Sequence, residues 1–433
     1  MKKLFTTFKT LILGGLLFSS TLVDAQTIAG ATGSYPLNTD RQYANGISPN
    51  ASDKYKNAIT AYNSWKQTYT ATDCGGTARV IFDFYQGGLG ATDRSETVSE
   101  GIAYGMLLSA YAGDRSLFDG LWSFYKNHRN GNGVMNWKIK NCNQVVGANG
   151  ASDAELDVAM ALIVASYQWQ NDNYLNDAKN MIRVIREKEF EGSILKPGDQ
   201  FGGQNLTNPS YFSPAYYEVF KQYDGNTTFW NNAITKGYQI IDAADKNDKG
   251  LVPDWTDGNG NTTSAANQYT DQGKNFFFDA VRTPFRSAID YLWHGRAAGK
   301  TYCEKLIAWS NSAHGGGTES LQSKYDINGN PLGGGHSNTF VACFGVAAMV
   351  TNNQSYLNRA YADNQSTNPT TGQYFNATFK AIGNFVMSGN FYLPPLGNCS
   401  GPELGDNKSF CTGSPVVLNA GVSANSYEWR RNG

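Results

Sequence analysis

Between residues 55 and 389 apolar residues recur at helical spacing in stretch after stretch, and convincing alternating strands are few. The spacing predicts helices over 55–68, 99–112, 115–128, 153–169, 174–189, 213–222, 228–244, 283–299, 301–312, 337–350 and 373–388. About a dozen helices of this length fit a ring of helical hairpins, an all-α fold. The run after Ser99 carries Ile102, Ala103, Met106, Leu107, Ala110 and Tyr111 with almost no charge between them, which marks a helix buried on most faces. The run after Ser152 repeats that pattern with Leu156, Ala159, Met160, Ile163 and Tyr167. The segments 129–150, 190–210, 245–275 and 314–336 are long and rich in Gly, Asn and Asp. Loops of that length in a compact domain are usually functional or disordered, and here they can wall a cleft.

The two ends of the chain read differently. Lys2 and Lys3, the apolar stretch Leu11–Phe18 and the small-residue site Val23-Asp24-Ala25 describe a secretory signal over 1–25, with a mature start near Gln26. The apolar stretch is too short to span a bilayer, which takes roughly 20 residues. An exported, soluble protein is expected, extracellular by preference over periplasmic. Beyond Pro394-Pro395 the helical pattern stops, and Val416–Leu418 and Tyr427–Trp429 resemble short strands. Residues 396–433 are too few for an independent sandwich of roughly 100 residues. They read as a linker and the start of an immunoglobulin-like domain, with a frayed tail as the alternative.

A formal net charge of -1 gives no electrostatic case for nucleic acid or an anionic membrane as partner. The six cysteines form no Cys-x-x-Cys pair and the four histidines have no ligand spacing, so no zinc site is expected. Export permits disulfides, but the spacing selects no pairing. Asp326–Asn330 begins like a calcium loop without Gly at the sixth position or Glu at the twelfth, and Asp245–Gly250 fails similarly. Neither a catalytic metal nor any other cofactor is expected.

Three acidic clusters stand where helices should begin: Ser99-Glu100-Gly101, Ser152-Asp153-Ala154-Glu155, and Asp279 ahead of Thr283-Pro284. Each also has a purely structural explanation. Thr97–Glu100 and Ser152–Glu155 match capping boxes, and Thr283-Pro284 supplies an N-cap with a first-turn proline. Carboxylates at the same end of several helices can nevertheless converge on one cleft, and an acid and a base flanking one bond is what glycosidic hydrolysis requires.

The wording around these clusters decides between the two explanations. Ser99-Glu100-Gly101-Ile102-Ala103-Tyr104-Gly105-Met106, Ala151–Ala159 with Trp169 following, and Phe278-Asp279-Ala280-Val281-Arg282-Thr283-Pro284 resemble glycoside hydrolase family 8. Asn208–Ala215 and Gly250–Trp255 are similar to the same family. The resemblance implies an (α/α)6 barrel and an inverting endo-hydrolase of β-1,4-linked polysaccharide, the endoglucanase-like subgroup. It implies Glu100 as general acid, Asp279 as general base, and Asp153 as the carboxylate that orients sugar and water, with Arg282 beside the base. Glu155 stands where the family prefers Asp, Val158 where it prefers Ile or Met, and Phe278 where relatives often carry Tyr. Trp137, Trp255, Tyr216 and Tyr211 lie next to loops and are the expected sugar platforms. Tyr104, one turn on from Glu100, completes the expected substrate-binding set. A monomer acting on β-1,4-glucan is the leading reading, with xylan second and chitosan third. A barrel that binds polysaccharide without cleaving it is the reading from another class.

Overall fold

The computed structural model describes residues 27–82, 94–369 and 373–395. The expected leader and the strand-like tail lie outside the described residues. Twelve α-helices span Lys54–Tyr69 (α1), Ser99–Ala112 (α2), Arg115–Asn127 (α3), Ser152–Trp169 (α4), Asp172–Lys188 (α5), Pro214–Asp224 (α6), Thr227–Ala244 (α7), Arg282–His294 (α8), Ala297–Ala313 (α9), Asn338–Ala348 (α10), Gln354–Ser366 (α11) and Tyr374–Met387 (α12).

Even- and odd-numbered helices differ in how much of their surface they bury. In α2 every residue but Glu100 is buried, and α10 is buried along its whole length. In α5 only Tyr174, Ala178, Met181, Ile182 and Ile185 are buried, one stripe at helical spacing. The packing follows from this. Among the even-numbered helices α2 packs on α4 and α12, α8 on α6 and α10, and α10 on α12. The amphipathic helices α3, α5, α7, α9 and α11 each pack on the even-numbered helix before them in the chain, and α1 packs on α12, which joins the two ends of the helical array.

The connections alternate in length. Those leaving α2, α4, α6 and α8 are two-residue turns, whereas those entering α4, α6, α8 and α10 are the long Gly- and Asn-rich segments. Because successive helices reverse direction, every long segment gathers at the end where the even-numbered helices begin. Short strands stiffen that end: Thr70–Cys74 (β1) with Thr77–Val80 (β2), Glu96–Val98 (β3) with Lys138–Lys140 (β4) and Gln144–Gly147 (β5), and Phe190–Glu191 (β6) with Ile194–Leu195 (β7). A disulfide between Cys74 and Cys142 ties the β1–β2 hairpin to the β4–β5 turn, while Cys303 and Cys343 are free and buried.

Two expectations need correction. The helix read as 283–299 ends at His294, because Gly295 takes a left-handed φ of 66° that closes it, and α9 starts at Ala297 rather than 301. Helix α11 had no counterpart in the sequence reading. Its sequence QSYLNRAYADNQS is polar around most of its circumference, although Asn353 caps it by accepting a hydrogen bond from the backbone N–H of Tyr356. No helix among the described residues is long and apolar enough to cross a membrane.

Candidate active site

Glu100 and Asp153 are the second residues of α2 and α4, where helix-terminal N–H groups favour acidic side chains. Arg282 opens α8 and Tyr374 opens α12. Four helix starts therefore deliver these side chains to the walled end. Asp279 precedes α8 in a turn closed by the Arg282 N–H to the Asp279 carbonyl, 3.1 Å. Buried Asp254 pins that turn, its Oδ1 accepting from the N–H of Phe277 (3.0 Å) and Ala280 (2.7 Å).

Arg282 is the junction. Its Nη1 donates to Glu100 Oε2 (2.7 Å), to Asp153 Oδ2 (2.6 Å) and to the Tyr104 hydroxyl (3.3 Å). Its Nη2 donates to Asp279 Oδ1 at 2.6 Å. The Tyr211 ring lies 5.1 Å from the guanidinium carbon. The Arg282 and Asp153 side chains are 1% and 2% exposed, whereas Glu100 and Asp279 are 21% and 29% exposed, so it is the latter two that face the cleft. Tyr374 donates its hydroxyl to Glu100 Oε1, and Trp255 Nε1 donates to Asp279 Oδ2 at 3.0 Å. Asp153 Oδ1 has no hydrogen-bond partner among the described residues, a buried acceptor able to take a sugar hydroxyl or a water.

Three carboxylates around one guanidinium cannot all stay ionised cheaply. Burial pushes the Glu100 carboxyl up to about 7, with Asp153 and Asp279 adding to the effect and Arg282 and the Tyr374 hydrogen bond opposing it. Asp153 is also raised, by burial first, against the pull of Arg282. The site can therefore hold a transferable proton on Glu100 near neutral pH.

The capping explanations do not hold. Val98 and Ala151 precede α2 and α4 without a side-chain cap, and the Glu100 carboxylate turns to Arg282 and Tyr374 instead. Likewise α8 starts at Arg282, so Thr283 is inside the helix rather than its cap. Of the expected aromatic platforms, Trp137 is 41% exposed and adjoins the acid, since its carbonyl accepts from the Ser99 N–H at 2.9 Å. Tyr211 is half-buried beside Arg282. Trp255 is largely buried, but stacked on it at 5.8 Å is Tyr269, an exposed ring that the sequence reading passed over. Two of the expected sugar contacts need correction. Tyr216 is buried, stacked on Trp293 at 5.9 Å and lying against Arg286, so it presents no face to a ligand. Tyr104 is fully buried and serves Arg282 rather than a sugar. Tyr374 was missed altogether, because nothing local distinguishes it from a core tyrosine. Asp254 stood within a quoted segment without a role.

Among the described residues one group, Asp73, Cys74 and Cys142, has donor atoms close enough together for a metal, but the two cysteines are joined in the disulfide and offer no thiolate. The Asp326 carboxylate is taken up by the N–H groups of Asn328 and Asn330, both at 2.9 Å.

Known proteins resemble this chain in sequence and in backbone. The chain is 34% identical over 401 residues to Endoglucanase C of Ruminiclostridium cellulolyticum, covering 89% of this chain and 83% of that one. It is 30% identical over 354 residues to the Beta-glucanase of Niallia circulans, covering 76% and 84%. Its backbone matches the apo structure of Beta-1,3-1,4-glucanase from Paenibacillus sp. X4 with a TM-score of 0.75 and 28% identity, covering 83% of this chain and 98% of that one. The family model for glycosyl hydrolases family 8 matches residues 35–388, and with the relatives and the clustered carboxylates it makes this chain a family 8 glycoside hydrolase.

Proposed function

We propose that the protein is a secreted, monomeric, inverting endo-β-1,4-glucanase built on an (α/α)6 barrel. The observation that carries this reading is the Arg282 guanidinium, which bonds Glu100 through one terminal nitrogen and Asp279 through the other and so gathers the two exposed carboxyls at one end of the helical array. Inversion requires an acid and a base roughly 6.5–9.5 Å apart, so that a water fits between them. Glu100, with its raised proton affinity, protonates the glycosidic oxygen as the C1–O bond breaks. Asp279 takes a proton from a water that attacks C1 from the opposite face. Asp153, buried against Arg282 with one oxygen unpaired, orients the ring and that water.

The named relatives, an endoglucanase and a β-glucanase, support glucan as the polymer. The exposed rings of Trp137 and Tyr269 support binding of a chain longer than the cleavage site alone. Reducing-sugar release from carboxymethyl cellulose, mixed-linkage glucan, xylan and chitosan, compared side by side, tests the substrate, and NMR of the first-formed anomer tests the mechanism. Release from xylan or chitosan alone overturns the glucanase reading, and β-anomeric product overturns inversion.

A further inference from the structure

Directly behind Asp153 lies a second pair of acids that the chemistry above does not use. Glu155, on the first turn of α4, and Glu189, the residue that ends α5, are both fully buried. Glu155 Oε1 accepts from the Tyr125 hydroxyl at 3.0 Å. With both acids ionised, Glu155 Oε2 and both Glu189 oxygens have no hydrogen-bond partner among the described residues. The polar groups beside Glu189 are the Glu155 carboxyl and the Ser152 hydroxyl, itself without a hydrogen-bond partner among the described residues, so a proton held between the two acids would give them the contact they lack.

The surroundings offer little positive charge to offset two carboxylates. Lys196 turns its ammonium to the Asp199 carbonyl (2.7 Å), and Arg286 is committed to Asp157. The remaining titratable neighbours are Asp199 from the loop after β7, Asp153 from α4, Tyr125 from α3 and Tyr217 from α6. The Asp199 carboxylate accepts from Asn130, Asn132 and the Gly150 N–H, and the Ser152 N–H bonds the Pro197 carbonyl at 3.0 Å, so this loop also grips the start of α4. Burial, then the Asp199 charge, pushes Glu189 up to about 8, and burial with the Glu189 charge raises Glu155 as well.

We propose that Glu155 and Glu189 are positioning residues that share one proton, and that this proton ties the first turn of α4, with Asp153 on it, to the end of α5. Loss of the proton places two like charges in contact in the interior and loosens that turn. A carboxyl whose proton affinity is higher folded than unfolded gives stability that is full at acid pH and lost as pH rises, here from about 4.5 to about 8.

The test compares the parent with Glu189→Gln and Glu155→Gln, whose amides can donate the same bond without titrating. Melting temperature is read from pH 6 to pH 9. The parent's should fall further than either variant's, by at least about 2 °C. Parallel curves overturn the proposal, as does failure of both variants to fold at pH 6, where an amide should replace the shared proton. A second measurement rests on the glucanase reading and uses Glu100→Gln to remove the catalytic proton. Its affinity for a β-1,4-linked glucose hexamer, by titration calorimetry, should weaken about threefold or more between pH 6 and 9. In the double variant that adds Glu189→Gln, affinity should stay level across the same range. Equal weakening in both overturns the link to Asp153. Absence of hexamer binding at either pH counts against the substrate reading and leaves the melting comparison to decide the pair.

Discussion

Arg286 grips Asp157 with both terminal nitrogens of its guanidinium, each bond 2.6 Å, one helical turn beneath the contact between Arg282 and Asp153. Helices α4 and α8 thus meet through two storeys of buried ion pair, an upper one behind the cleft-facing Glu100 and Asp279 and a lower one deeper in the core. The lower pair has no freedom to reach substrate, so its effect is to set the height of the upper one. Asp157→Ala leaves a buried guanidinium unpaired and should cost about 3–5 kcal/mol of stability in denaturant unfolding. A loss below about 1 kcal/mol would mean that water or a neighbour compensates Arg286.

Glu100→Gln keeps the size of the side chain and removes the proton that the proposed mechanism gives to the leaving oxygen. Turnover of an unactivated polysaccharide should fall about 100- to 10,000-fold, while oligosaccharide affinity measured by calorimetry persists. Activity near that of the parent would reduce Glu100 to a ligand of Arg282.

The rate should decline as pH rises past about 7, where Glu100 loses its proton. The Tyr374 hydroxyl bonds the ionised form of Glu100 and so holds its proton affinity down. Tyr374→Phe removes that bond, and the alkaline limb of the kcat profile should move to higher pH. A shift to lower pH would show that the hydroxyl instead favours the protonated acid.

Gly147, the last residue of β5, lies against Trp137, which immediately precedes β4, and a Cβ at that position would stand 2.4 Å from the indole. Gly147→Ala must therefore displace the ring from its seat beside the start of α2. If Trp137 is a sugar platform, KM for a long glucan should rise about 2- to 10-fold with kcat nearly kept, the range expected for loss of one ring contact. An unchanged KM would assign the ring to packing alone.

The positions of the helices were legible because a helix is written in local spacing. The 99–112 helix was read to its end residues, and α11 escaped because a mostly polar outer helix buries too little to show a stripe. Glu100, Asp153 and Asp279 could be picked out for a similar reason, since each stands at or just before a helix start, and family wording then set them apart from ordinary caps.

What joins them was decided only in three dimensions. Arg282 reaches Asp153 across 129 residues of sequence, and Tyr374 reaches Glu100 across 274. Glu189 meets Glu155 only because α5 folds back along α4. Tyr216 looked like a platform beside a loop and instead faces the core, since the inner side of α6 takes it there. Local periodicity says which residues share a face of one helix. The charge balance that sets the Glu100 proton depends on which faces of different helices meet, and that follows from packing the whole helical array.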